Sequence, residues 1–253
     1  MLKTLVFSVL SLFGCVQAAW AVDPLPLRLP LCPDWSQNVE TDIVLWQALE
    51  TAYPSAKVDA EDGEASRLSC LFPYKLLRYD KLAVLITLAG EPGEACHGCP
   101  AEVSAVFLRQ DGNALKALGR HDSFDKLGTF GDLIGVDLLR LGTEEGMVVE
   151  SGGTFQGYSS TVLNLFLIRG GRMKLIGSKN GVPSGSSDCL VRDPCREVTG
   201  YWQADGRRFL LRHIGVREDG TKVDGTVVYE LRKGSLVRVS GHQLAREMEE
   251  SRP

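Results

Sequence analysis

The stretch EACHGCPAEV, residues 94–103, is where chemistry would begin in this chain: Cys96 and Cys99 flank His97, and Pro100 follows directly. A reduced pair would suit thiol–disulfide exchange, with Cys96 as the attacking thiolate and Cys99 as the resolving thiol. With His97 between them, Cys96 and Cys99 also offer the sulfur and nitrogen donors that tetrahedral zinc takes. Beyond the two cysteines, two further ligands would have to come from His97, Cys189, Cys195, His121 or His213. Oxidised, the pair does neither and only closes a small loop. Haem attachment is excluded, because C-x-x-C-H needs its histidine after the second cysteine.

Taken with the apolar run before it, AVLITLAGEPGEACHGCPAEV resembles the thioredoxin family, where a strand leads through C-x-x-C into a helix. The resemblance spans residues 83–103 and implies an oxidoreductase whose active pair is Cys96 and Cys99. It also implies a helix opening near Pro100 and Glu102, whose peptide dipoles would lower the thiol pKa. Two departures accompany it. Gly90 to Ala95 separate strand from cysteines, and no proline between Pro100 and Pro183 supplies the cis-proline that the family sets against its sulfurs. The following VSAVFLRQDG also reads as strand.

Which sulfur chemistry applies depends on the compartment. Lys3 followed by an uncharged apolar run, then Ala19-Trp20-Ala21, reads as a secretory signal peptide over residues 1–21. The run is too short to span a bilayer, and no later segment is long and apolar enough. Leu12-Phe13-Gly14-Cys15 resembles the lipobox of bacterial lipoproteins, the alternative being a chain anchored through lipid on Cys15. Removal of the leader leaves six cysteines: Cys32, Cys70, Cys96, Cys99, Cys189 and Cys195. An even set in an exported chain is expected to form disulfides. The expected pairing is Cys96 with Cys99, Cys189 with Cys195, and Cys32 with Cys70. Spacing argues only for the two local pairs. The expected location is the periplasm or the exterior.

Other constellations point to binding more than to catalysis. ESGGTFQGYSST reads as a glycine-rich loop presenting Phe155, Gln156 and Tyr158, groups that grip a sugar, a peptide or a partner protein. GSKNGVPSGSSDCLVRDPCRE reads as a second, stapled loop over residues 177–196 that displays Arg192. There is no G-x-S-x-G, no H-E-x-x-H and no phosphate-cradling glycine motif, so neither a catalytic set nor a cofactor is expected. The leader holds one of 28 basic residues; the remaining 27 face 32 acidic ones, a net charge near −5 with no basic run. Nucleic acid is therefore not an expected partner. The expectation is an exported, disulfide-stabilised module that binds or inhibits a protein or envelope polymer. The alternative is a periplasmic thiol–disulfide oxidoreductase.

These groups need a scaffold. Residues 22–35, VDPLPLRLPLCPDW, are too proline-rich for helix or central strand and read as an extended arm. Residues 36–53 carry Val39, Ile43, Trp46, Leu49 and Tyr53 at helical spacing up to Pro54, with Ser36 or Thr41 as cap. Residues 66–240 read as one β domain. KLAVLITLA suits a central strand, and hairpins are expected to turn at Asp111-Gly112, Gly170-Gly171, Asp205-Gly206 and Lys233-Gly234. The expected fold is mainly β: an antiparallel meander, as sandwich, open barrel or propeller-like sheet, with one N-terminal amphipathic helix. Residues 241–253 read as a charged tail, helical or frayed.

Overall fold

A computed structural model describes residues 30–33, 35, 42–54, 67–68, 70–112 and 114–251. The leader, Cys15 and residues 22–29 of the arm lie outside the described residues, as do the expected caps Ser36 and Thr41.

The first helix, α1 (Ile43–Ala52), starts at Asp42, whose carboxylate accepts from the backbone N–H of Val44 and Leu45 at 3.0 and 3.1 Å. Those donors have no partner inside the helix, so the cap fixes its start. Ile43 is thereby left at the first helical position, 72% exposed, rather than in the apolar stripe expected of it. The buried face is Leu45, Ala48 and Leu49, while Trp46 stacks on Trp35 with ring centroids 5.0 Å apart.

That face packs on a four-stranded antiparallel sheet: β1 (Leu71–Arg78), β2 (Leu82–Ala89), β3 (Ala101–Asp111) and β4 (Ala114–Leu127), paired in sequence order. Six consecutive residues of β2, Ala83 to Leu88, are buried, as a strand covered on both faces requires. Pro73, which cannot donate to a ladder, sits in β1 at the sheet edge beside a bulge. The arm adds to that edge: Leu31 bridges Leu71 in parallel, and a Cys32–Cys70 disulfide ties it down.

The second sheet contains β5 (Gly135–Leu141), β6 (Glu144–Phe155), β7 (Tyr158–Arg169), β8 (Arg172–Leu175), β9 (Val182–Ser187), β10 (Glu197–Asp205), β11 (Arg208–Val216), β12 (Lys222–Arg232) and β13 (Ser235–Ser240). Its order is β13-β12-β11-β10-β9-β7-β6-β5, with β8 beside β7 and every pairing antiparallel. The four glycine-containing turns named above each join two strands of a hairpin, so the antiparallel meander is the observed fold. The far strands coil back toward the first ones, and the Gly142 N–H donates to Gly206 O at 2.6 Å. β5 and β13 nevertheless remain edges, so no barrel closes.

One expectation is overturned here. Residues 177–196 do not form a single exposed loop, because Val182–Ser187 is strand β9, mostly buried between β7 and β10. Its composition, VPSGSS, hid it. The small side chains fit where a neighbour comes close: a Cβ on Gly185 would lie 2.6 Å from Thr161 Oγ1.

The two cores meet at β6 and β7. Met147, Val149 and Phe166 join the core shared with the four-stranded sheet and α1, while Val148, Leu163, Leu165 and Leu167 pack with Phe209, Leu211 and Val227. The tail is helical over α2 (His242–Glu250) and packs through Ala245 and Met248. Glu247 receives a two-pronged ion pair from Arg217, at 2.7 and 2.9 Å, which holds its carboxyl below the usual range. Beside it, His213 is buried in β11, donates from Nε2 to Pro183 O at 3.1 Å, and has no hydrogen-bond partner at Nδ1 among the described residues.

Two outcomes follow. Phe166, packed edge-on against Phe124 at 5.1 Å and fully enclosed, should cost about 3–5 kcal/mol when changed to Ala, read from urea unfolding. Burial, with Arg196 nearby, holds the His213 imidazole below its ordinary 6.5. The unfolded chain then takes up this proton more readily than the native one. Stability is full above pH 6.5 and declines as the pH falls below it. Thermal melts across neutral to mildly acidic pH should show a shallower decline in His213→Gln than in the parent.

Candidate functional site

Period-two alternation carries the inner face of β6 outward from the core. Met147 and Val149 are followed on that face by Ser151, Gly153 and Phe155; on β7 the corresponding run is Phe166, Asn164, Val162 and Ser160. The apolar floor thus gives way to small polar residues before ending in an aromatic one. Above it lie two loops, residues 90–100 and 128–134, and the space between is a cavity of about 340 Å³ lined by His97, Thr129, Ser151, Gly153, Phe155 and neighbours.

Backbone bonds lock the loops to each other. Phe130 O accepts from the N–H of Gly93 (3.0 Å) and Ala95 (3.3 Å), and the Gly131 N–H donates to Cys99 O at 2.8 Å. Phe130 is held at φ 55°, a left-handed conformation that costs a non-glycine residue roughly 1–2 kcal/mol. The surrounding bonds compensate and turn its ring outward against His97, parallel within 6° at a centroid distance of 4.7 Å. Phe155 lies on the hairpin at 6.2 Å from the same imidazole, and His97 Nε2 bonds Thr154 O. Close approach fixes the glycines: a Cβ on Gly153 would stand 2.7 Å from Thr129 Cγ2.

Cys96 and Cys99 are disulfide-bonded, as are Cys189 with Cys195 and Cys32 with Cys70. The helix implied by the thioredoxin-like stretch is not there, because Pro100 leads straight into β3. No helix dipole therefore acts on the cysteines. The zinc alternative of Cys96, His97 and Cys99 also loses its donors: both sulfurs are bonded to each other, and His97 Nε2 bonds a carbonyl. His121 and His213 are engaged elsewhere, with the Met173 N–H and Pro183 O.

The segment around Phe155, Gln156 and Tyr158 is tighter than the wide loop expected. Phe155 ends β6, Tyr158 begins β7, and Gln156-Gly157 make a two-residue turn with both φ positive. Its far side rests on the second stapled loop. A Cβ on Gly157 would come within 2.2 Å of Val191 Cγ1, and the Arg192 guanidinium stands 5.8 Å over the Tyr158 ring. Arg192 also pairs with Glu218 at 2.8 Å and Asp188 at 3.5 Å. Exposed as it is, it holds the loop in place through these contacts.

The structure thus brings Phe155, Gln156, Tyr158 and Arg192 into one unit with His97: a hairpin tip gripped between two disulfide-closed loops. Sequence reasoning missed Phe130, Leu190 and Val191, which carry the exposed apolar surface beside it at 42%, 75% and 49% exposure. A phenylalanine within TFGD and an apolar pair inside a cysteine loop have no period that would flag them. Comparison with protein-family models, curated proteins and solved structures finds no match for the chain.

Loop length ranks the staples. In the chain-entropy account, closing the loop of sequence separation 38 at Cys32–Cys70 is worth about 4 kcal/mol, and the loop of separation 3 at Cys96–Cys99 about 2. Paired Cys→Ser variants measured in urea should follow that order. The Cys96→Ser/Cys99→Ser protein should stay folded while the NMR signals of His97 and Phe130 lose their stacked-ring shifts.

Proposed function

We propose that the protein is an exported, non-catalytic binding module that recognises or inhibits a protein or cell-envelope polymer through the clasped β6–β7 tip. The observation that carries this is the exposed row Phe130, Phe155, Leu190 and Val191, with Phe155 at 60%, mounted on backbone that two disulfides pin. Large apolar groups on restrained loops bind without first losing loop entropy, which is the usual means by which a recognition surface gains affinity. Export is supported by the leader-like N-terminus and by three cystines, which persist in oxidising compartments. No helix of the described residues is long and apolar enough to cross a membrane.

The thiol–disulfide reading has one feature in its favour, the exposure of Cys96. Against it stands Pro100, which leads from the pair straight into strand β3, not into a helix whose terminus would stabilise a thiolate.

The test is photocrosslinking in the exporting cell, with a benzophenone amino acid in place of Phe155 or, on β13, Val237. A discrete cross-linked product at 155 and none at 237 is expected. If the folded, exported protein gives no product at 155, or the same products at both positions, the binding reading is wrong. If the reduced protein instead cycles substrate disulfides and loses that turnover in Cys96→Ser, the oxidoreductase takes its place.

A further inference from the structure

Resting on that reading, we infer that the cavity under His97 and Phe130 takes a single uncharged, apolar side chain presented by a segment of a partner protein. Charge is the first argument. No aspartate, glutamate, lysine or arginine lines the cavity, and His97, the one titratable side chain of its lining, is stacked on Phe130 and bonded to Thr154 O, so a charged ligand group would leave water with little to compensate it.

Most polar side chains of the wall, Thr129, Ser151, Thr154 and His97, already hold a bond within the protein, and Ser160 is the one hydroxyl of the lining left without a side-chain bond among the described residues. Thr129 Oγ1 donates to Gly152 O at 2.9 Å, and His97 Nε2 bonds Thr154 O. Thr154 Oγ1 and Ser159 Oγ share a bond of 2.7 Å, and Asn164 Nδ2 donates to Ser151 Oγ at 3.2 Å. A sugar, dense in hydroxyls, would find few unengaged partners there, chiefly Ser160 Oγ and the remaining capacity of Ser151, and would leave most of its own hydroxyls unmet. An apolar group asks for no such partners and covers the Val162, Phe155 and glycine surfaces of the wall.

Size and surroundings agree. About 340 Å³ lies near the lower end of small-molecule sites, room for one side chain and its flanks rather than a long ligand. Outside the cavity, Phe155 leads past the Gln156-Gly157 turn to Leu190 and Val191, an apolar border on which the rest of a protein segment can lie.

The experiment is an NMR titration of the full mature protein with blocked tripeptides Ala-X-Ala, X being Leu, Phe, Asp or Lys, and with a neutral trisaccharide, maltotriose. The Leu and Phe peptides are expected to shift the Thr129, Gly153 and Ser160 amides and to bind about tenfold tighter than the Asp and Lys peptides. Raising the ionic strength should change their affinity less than about twofold. Phe155→Ala, at an exposed position that leaves the fold intact, should weaken them, while Val237→Ala should not. Maltotriose moving the same amides while the peptides do not would overturn the inference and leave the binding reading standing. Equal binding of charged and apolar peptides, or silence from every probe, would overturn the inference too. Crosslinking at position 155 judges the reading separately.

Discussion

The pairing of β6 with β7 is the contact on which the rest of this molecule depends. Over its middle, Gly146–Val149 and Leu163–Leu167, the pair is buried on both faces, and alternate residues serve different cores. Met147, Val149 and Phe166 close the compartment built by α1 and the four-stranded sheet. Val148, Leu163, Leu165 and Leu167 close the one built by the returning C-terminal strands. A slip of one residue in this register would exchange the two sets and empty both cores. The same register sends Ser151, Gly153 and Phe155 along one line to the tip, so the tip inherits its alignment from core packing.

At the tip the physical problem changes. Beyond Ser151 and Val162 few apolar residues remain to hold position, and two loops without regular structure must be fixed by other means. Cross-loop backbone bonds from Gly93, Ala95 and Gly131 meet that need on one side, with the Cys96–Cys99 disulfide limiting the chain between them. On the other side, Cys189–Cys195 and the contacts of Arg192 with Tyr158, Glu218 and Asp188 do so. Surface ion pairs of this kind contribute little each. Their role is to choose one loop arrangement among several of similar energy. The left-handed Phe130 shows the outcome, since a strained residue persists only where its surroundings determine it.

The sulfur atoms of Cys96 and Cys99 are joined to each other in this arrangement. A reactive C-x-x-C needs its thiolate stabilised once the bond opens, by a helix terminus or a neighbouring cation. Pro100 opens a strand, and His97 faces two phenylalanine rings and a carbonyl.

Much of this was legible in the residues alone. The glycine turns, the unbroken KLAVLITLA run and the paired local cysteines reported the antiparallel meander, its hairpins and two of its cystines, because each depends on neighbours a few residues apart. The helix was legible in type but not in the orientation of Ile43, which the Asp42 cap decided. Strand β9 was not legible, because VPSGSS is shaped by what lies beside it, the close approach of β7 and β10, and not by its own preferences. The site was half visible: Phe155, Tyr158, His97 and Arg192 stood out by type, but their meeting did not. Only the tertiary structure could set residues 97, 130, 155 and 191 side by side, since their contacts join segments of the chain far apart in sequence. It also assigned Arg192 the task of holding its loop, and it marked Phe130, whose exposure follows from a backbone turn that no local pattern encodes.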